Sequence, residues 1–143
     1  MVSCDSFSDV WNPFFKSFHH YWKDCDLKTF LLSNEKECEE LNVKTIKVGD
    51  DVSWSDNLIK AIDNIKNEYV LLLLDDLFIV NKVSSNYFDK ISKWIDLNSP
   101  NYLRLTISHK PEIFDNFVGL LPKKTPYKTS LMPCIWKKSI LKE

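Results

Sequence analysis

Short apolar runs alternate with amphipathic stretches along the chain, which is the pattern of strands joined by helices in a largely parallel sheet. The first amphipathic stretch places Phe14, Phe15, Phe18 and Trp22 on one helical face. Strands are predicted at residues 1–4, 28–32, 43–48, 69–74, 101–108 and 129–135. Helices are predicted at residues 10–22, 35–41, 56–65, 84–97 and 136–143, and a loop or hairpin at 109–127. The pattern predicts an α/β fold with a single domain over residues 1–143, arranged as a three-layer α/β/α sandwich around a mostly parallel central sheet.

The apolar run at residues 69–74 has no alternation, which indicates a central strand covered on both faces. Asp75 and Asp76 follow it directly, at the strand end where ligands bind in open α/β sheets. Adjacent carboxylates repel each other and gain from a divalent cation, and Mg²⁺ or Mn²⁺ is commonly shared with substrate phosphates. We therefore predict Asp75 and Asp76 as metal ligands. The alternative is a solvated turn in which Asp75 caps local backbone groups.

Two further polar segments follow predicted strands. Ser55 is predicted as the N-cap of the helix at 56–65, and the free N–H groups there, next to Asp56, favour an anion or another acceptor. The alternative is an ordinary capped helix with Trp54 packed against it. The segment Cys4-Asp5-Ser6 ends the first strand, where Asp5 can accept a hydrogen bond from a base or a ribose; the alternative is a plain turn.

Composition removes several classes of function. The chain has only 2 glycines, Gly49 and Gly119, so the glycine-rich phosphate cradles of P-loop and Rossmann proteins are excluded. A nucleotide would have to be held by side chains, single backbone groups and a metal. The formal net charge of −1, spread along the chain, argues against nucleic-acid binding.

Cysteine spacing and hydropathy predict the location of the protein. The four cysteines form no C-x-x-C pair and have no histidine at zinc-ligand spacing, so we expect free thiols in a reducing compartment. The start of the chain lacks the features of a signal peptide. The longest apolar run is far shorter than the ~20 residues of a membrane helix. We expect a soluble, cytoplasmic protein without a membrane span.

Four segments, taken in order, resemble a known family. They are residues 2–9 with 11–15, residues 53–58, residues 68–76 and residues 130–136. Together they resemble small bacterial-type glycosyltransferases of the GT-A fold, which use nucleotide sugars. The resemblance implies a nucleotide-sugar donor near Cys4, Asp5 and Ser6, with Ser55, Asp56 and Asp75 also near the nucleotide.

The same resemblance implies a divalent ion, Mn²⁺ or Mg²⁺, held by Asp75 and Asp76 on the donor's diphosphate. Residues 130–136 would line the far side of the donor or acceptor site, and the acceptor would be a hydroxyl of a glycan or another molecule. The acidic motif is Asp-Asp-Leu rather than Asp-x-Asp, which leaves open which carboxylate binds the metal directly. The family's chains continue past the position of Trp136 to an acidic general base, and no residue here is assigned that role.

Other readings differ in what they require of the sequence. A nucleotidyltransferase would need an early glycine-rich basic loop, which is absent. A receiver domain would place its acidic pair after the first strand rather than the fourth. A truncated, non-catalytic nucleotide-sugar binder or assembly partner of the same fold is the main alternative; turnover with an acceptor would separate it from an enzyme. Under either interpretation the chain could form a homo-oligomer.

Overall fold

The computed structural model describes residues 1–106, 110–113, 117–131 and 133–143. In these ranges the helices are α1 (Ser8–Tyr21), α2 (Trp54–Asp63), α3 (Ser85–Asn98) and α4 (Lys138–Leu141), and a 3-10 turn at Asp5–Phe7 precedes α1. The strands are β1 (Thr29–Ser33), β2 (Val43–Lys47), β3 (Tyr69–Leu72), β4 (Tyr102–Arg104), β5 (Glu112–Ile113), β6 (Gly119–Leu120) and β7 (Cys134–Lys137).

The described strands form a mixed arrangement. β1 and β2 pair in parallel, whereas β7 lies between β3 and β4 and is antiparallel to both. Val2 makes single parallel bridges to Leu32 and to Leu74, so the N-terminal segment lies between β1 and β3. The protein is therefore a mixed α/β protein with a short parallel pair and a small antiparallel sheet.

The reversed direction of β7 follows from the connection that precedes it. A parallel partner would need a crossover back to the other end of the sheet, usually made by a helix. No helix occurs in the described residues between β4 and β7, which instead contain the antiparallel β5–β6 pair. The hairpin predicted within 109–127 is thus present, although residues 109 and 114–116 lie outside the described ranges, as do residues 107 and 108 of the predicted strand 101–108.

The aromatic stripe predicted for the first helix is buried. Phe14, Phe15 and Phe18 of α1 pack with Trp22 and with Leu31 of β1 in one cluster. The helical spacing of these residues puts their rings on one side, and burial of that side stabilises α1 through tertiary contacts rather than intrinsic propensity. The predicted position and buried face of this helix are confirmed.

β3 contacts helices on both of its faces, as predicted. Leu71 packs in clusters that contain the buried side chains of α1 and α3. Leu72 packs in a separate cluster with Leu58 and Ile62 of α2. Because alternate side chains of a strand point in opposite directions, this central strand is apolar at every position.

The helix predicted at 35–41 is wrong. The backbone N–H groups at Asn34, Glu35 and Lys36 donate to the carboxylate of Asp5, and the N–H of Cys38 donates to Thr45 Oγ1 at 2.9 Å. Side-chain acceptors from elsewhere in the chain thus replace the carbonyl groups that a helix would supply.

Two other boundaries differ from the prediction. Ser53, not Ser55, is the N-cap of α2, because its Oγ accepts from the N–H of Asp56. The last strand begins at Cys134 rather than at residue 129, and α4 starts after it at Lys138. Among the described helices, none has the length and apolar character required to cross a bilayer.

Candidate functional site

The predicted site residues follow the carboxyl ends of the parallel strands. From the segment at Val2 the chain proceeds to β1 and β2 on one side, then returns to β3 on the other side of Val2. Such a reversal of strand order opens a crevice at the strand ends, where α/β proteins bind ligands. Cys4, Asp5 and Ser6 follow one of these two adjacent strand ends, and Asp75 and Asp76 follow the other.

A hydrogen-bond chain orients Asp75. Ser3 Oγ donates to Asp75 Oδ2 at 2.5 Å, and the buried Trp11 Nε1 donates to Ser3 Oγ at 2.7 Å. This chain of hydrogen bonds therefore connects α1, through Ser3 of the N-terminal segment, to the residue that follows β3. Ser3 and Trp11 were not among the predicted site residues, and no local pattern signals a contact between residues 72 positions apart.

The acidic pair retains free carboxylate oxygens. Within the described part of the chain, neither Asp75 Oδ1 nor the exposed carboxylate of Asp76 has a hydrogen bond or an ion pair, although the buried amino group of Met1 interacts electrostatically with Asp75. The described residues contain no group of three or more His, Cys, Asp or Glu side chains that could hold a metal ion. Metal binding by Asp75 and Asp76 therefore stays a prediction.

Asp5 connects the end of the N-terminal segment to the loop after β1. Its two carboxylate oxygens accept from the N–H groups of Asn34, Glu35 and Lys36 at 3.0–3.2 Å. Its own N–H donates to Asn34 Oδ1, and Asn34 Nδ2 donates to the carbonyl of Gly49. Desolvation acts to raise the pKa of Asp5, but the backbone N–H donors outweigh it and hold that pKa below its usual value. Both Asp5 carboxylate oxygens already accept hydrogen bonds from the loop after β1. Nucleotide binding by Asp5 stays a prediction.

We expect Asp5→Asn to reduce the free energy of unfolding at pH 7 by about 1 kcal/mol, because an amide nitrogen replaces one acceptor near the surface, where solvent screening limits the effect. The pKa of Asp5 is lower in the folded protein than in the unfolded chain, where it is near 3.8. Asp5 therefore stabilises the fold fully above pH 3.8, and this stabilisation is lost as the pH falls through the folded-state pKa. Urea unfolding from pH 3 to 7 should therefore show the two proteins converging at acid pH. The exposed Asp89→Asn is the control; a gap that stays constant with pH would contradict this prediction.

Ser55 and Asp56 lie in the first turn of α2, which begins after the carboxyl end of β2. Ser53 Oγ donates to Asp56 Oδ2 at 2.6 Å, and Ser55 Oγ lies 3.2 Å from Ser53 Oγ. Ser53 Oγ also accepts from the N–H of Asp56, so the N-cap contact occupies part of the Asp56 carboxylate. The capped start of α2 fits the alternative of an ordinary capped helix, in which Trp54 is partly packed at 45% exposure.

The segment before β7 lies across from α2. The backbone N–H of Ser130 donates to Tyr102 Oη at 3.1 Å, and the Cys134 thiol donates to the carbonyl of Ser130 at 3.1 Å. Burial raises the pKa of that thiol to about 11. Two cavities have volumes of about 390 and 330 Å³. The smaller cavity lies between α2 and this segment, and its lining includes Trp54, Ser55, Ser130, Leu131 and Trp136. Two of the four segments that carry the resemblance therefore share one cavity.

Arg104 is the sole arginine of the sequence and lies at the carboxyl end of β4. Its Nε donates to Thr106 Oγ1 at 3.3 Å, and its Nη1 donates to the carbonyl of Tyr127 at 3.2 Å. No carboxylate of the described residues forms an ion pair with it. No sequence motif selects this residue, because only the strand pairing places it at the same edge as the acidic pair.

Comparison of the chain with protein-family models, with curated proteins and with solved structures finds no match.

Proposed function

We propose that the protein is a glycosyltransferase that moves a sugar from a nucleotide-sugar donor to an acceptor hydroxyl with a divalent metal on the diphosphate. The observation that carries the proposal is the hydrogen bond from Ser3 to Asp75. It joins the two strand ends on either side of the reversal in strand order, and it holds an acidic pair whose remaining oxygens are free.

The arrangement of strands supports the finer proposal of a three-layer, GT-A-like sandwich. Across the two bridges of Val2 the order is β2, β1, Val2, β3, β7 and β4. Helices α1 and α3 contribute side chains to clusters on one face of β3, and α2 contributes them on the other. These contacts support the architecture that the resemblance implies, although β7 is antiparallel in a sheet predicted to be mostly parallel.

In this proposal Asp75 and Asp76 hold Mn²⁺ or Mg²⁺, and the nucleotide sugar lies near Cys4, Asp5, Ser6, Ser55 and Asp56. The ion would stabilise the charge that develops on the departing diphosphate. Ser3 and Trp11 keep the Asp75 carboxylate in one orientation, so that less order must be imposed when the donor binds. The cavity beside Trp54 and Leu131 is open to an acceptor hydroxyl. All four cysteines are free, which supports a reducing, cytoplasmic location.

The test is calorimetric titration of UDP-, GDP- and CDP-sugars with and without Mn²⁺, on the native chain and on Asp76→Ala. We expect one nucleotide class to bind in a metal-dependent manner and its affinity to fall about tenfold or more in the variant, because one oxygen ligand is lost. Asp89→Ala removes an equally exposed carboxylate outside the site and should bind as the native chain does.

Absence of binding by the folded native chain to every nucleotide sugar would refute the proposed function. Metal-dependent binding makes a screen of glycan acceptors worthwhile. Binding with no turnover on any acceptor would favour the non-catalytic nucleotide-sugar binder instead.

A further inference from the structure

Arg104 lies two strands away from β3, on the face that packs against α2. Arg104 pairs with Cys134 of β7, and Cys134 pairs with Leu72 on its other side. Residues in one such row project to the same face of the sheet, and neighbouring strands are about 4.8 Å apart, so Arg104 and Leu72 are separated by roughly 10 Å. Asp75 lies three residues past Leu72, roughly 10 Å farther along the strand direction, so the Cα atoms of Arg104 and Asp75 are roughly 14 Å apart. The arginine side chain and a bound diphosphate together would span that distance.

The guanidinium of Arg104 is held in place but keeps donors for a ligand. It has five N–H donors, of which one goes to Thr106 Oγ1 and one to the carbonyl of Tyr127. Both acceptors are neutral, so they orient the group without neutralising its charge. Guanidinium groups match phosphate oxygens in a two-point geometry, and orientation by neutral neighbours lowers the entropic cost of such binding.

With a bound diphosphate, this edge of the sheet would carry more negative charge than a divalent metal ion neutralises. Two carboxylates and a diphosphate carry four negative charges, of which a divalent metal ion compensates half. Lys36 lies at the same edge, but its Nζ donates to the carbonyl of Asp5 at 3.0 Å and to Ser8 Oγ at 2.7 Å. Lys36 has three N–H donors and so keeps one, whereas Arg104 keeps three of its five in the described part of the chain.

We propose that Arg104 binds the diphosphate of the donor, and that of the nucleoside diphosphate product, from the side opposite Asp75 and Asp76. The inference rests on the proposed function for the identity of the ligand, and it adds a diphosphate contact that the sequence motifs do not include. Arg104 then selects for ligands with a diphosphate over those with a single phosphate, because the guanidinium and the metal ion contact different oxygens of the same group.

The test uses inorganic pyrophosphate in Mg²⁺ as the probe, titrated by calorimetry into the native chain, Arg104→Gln, Arg104→Lys and Asp76→Ala. We expect Arg104→Gln to weaken binding about tenfold or more, because charge-assisted hydrogen bonds to phosphate are lost. Arg104→Lys keeps the charge and the aliphatic stem but loses the two-point geometry, and it should show a smaller loss. The exposed Lys90→Gln changes the net charge equally and should bind as the native chain does.

The outcomes separate this inference from the proposed function. Native affinity in Arg104→Gln, with binding lost in Asp76→Ala, overturns the role of Arg104 and leaves the glycosyltransferase standing. A native chain that binds nucleotide sugars but not pyrophosphate also overturns it. Pyrophosphate binding that depends on Arg104, in a chain that binds no nucleotide sugar, supports the diphosphate site and refutes the donor. Circular dichroism and thermal unfolding of each variant show that it is folded.

Discussion

Phe15→Ala is expected to reduce the free energy of unfolding by about 3–5 kcal/mol, the range for truncation of a buried phenylalanine. Phe15 is 0% exposed and makes edge-on ring contacts with Phe14 and Phe18, at centroid distances of 5.4 and 6.4 Å. Truncation leaves a cavity between α1 and β1 that the rigid neighbouring rings cannot fill. A domain of this size has only about 5–15 kcal/mol of stability in total, so the loss is a large part of it.

Urea unfolding followed by tryptophan fluorescence measures this effect. The matched control is Phe7→Ala, because Phe7 is the same residue type but is 56% exposed, and its truncation should change stability by less than about 0.5 kcal/mol. A loss below about 1 kcal/mol in Phe15→Ala would show that the cluster around α1 is loosely packed. Equal losses in the two variants would show that burial does not decide the cost.

The elements that the sequence predicted well are those whose hydrophobic period reports burial directly. The stripe on α1 and the unbroken apolar run of β3 each require a particular face, or both faces, to be covered. Val43–Lys47 was also predicted as a strand, but its apolar residues lie on both faces: Val43 packs in the cluster around α1, and Ile46 packs in the cluster with α2. Burial of apolar side chains stabilises these elements, and the spacing of those side chains along the sequence indicates which face is buried.

The features that the sequence did not predict depend on partners distant along the chain. Residues 35–41 have the composition of a short helix, but the N–H groups at their start bind Asp5, about 30 residues earlier. Ser53 and Ser55 are both good N-caps, and the side chain of Asp56 decides between them by bonding Ser53. The direction of β7 and the position of Arg104 likewise depend on the path of residues 105–133, whose apolar pattern is weak.

The candidate site was predictable in part for the same reason. Asp75 and Asp76 could be selected because they follow the most apolar strand of the sequence. The orientation of Asp75 could not, since it needs Ser3 from a neighbouring strand and Trp11 from a helix. A carboxylate pair at a strand end is consistent with a solvated turn, but Asp75 is fixed by a hydrogen bond from Ser3, which in turn accepts from Trp11, and cation binding by the pair stays a proposal.

Asp75→Asn is expected to weaken metal-dependent nucleotide binding about 100-fold while leaving the fold intact. The amide oxygen can still accept from Ser3 Oγ, so the hydrogen bond from Trp11 to Ser3 persists and stability should change little. The negative charge that would bind the divalent ion is lost, and removal of one partner from a close charge pair costs several kcal/mol. Calorimetry with the nucleotide sugar that the native chain binds, at several Mn²⁺ concentrations, measures the loss.

Ser3→Ala is the complementary variant, because it keeps the charge of Asp75 and removes the group that orients it. It leaves the buried Trp11 Nε1 without an acceptor, so it should cost about 1–3 kcal/mol of stability and a smaller fraction of the affinity. If the acidic pair is the metal site, Asp75→Asn has the larger effect on binding and Ser3→Ala the larger effect on stability. The reverse order would mean that Asp75 serves the packing of α1 against the sheet, and that the cation, if one binds, is held elsewhere.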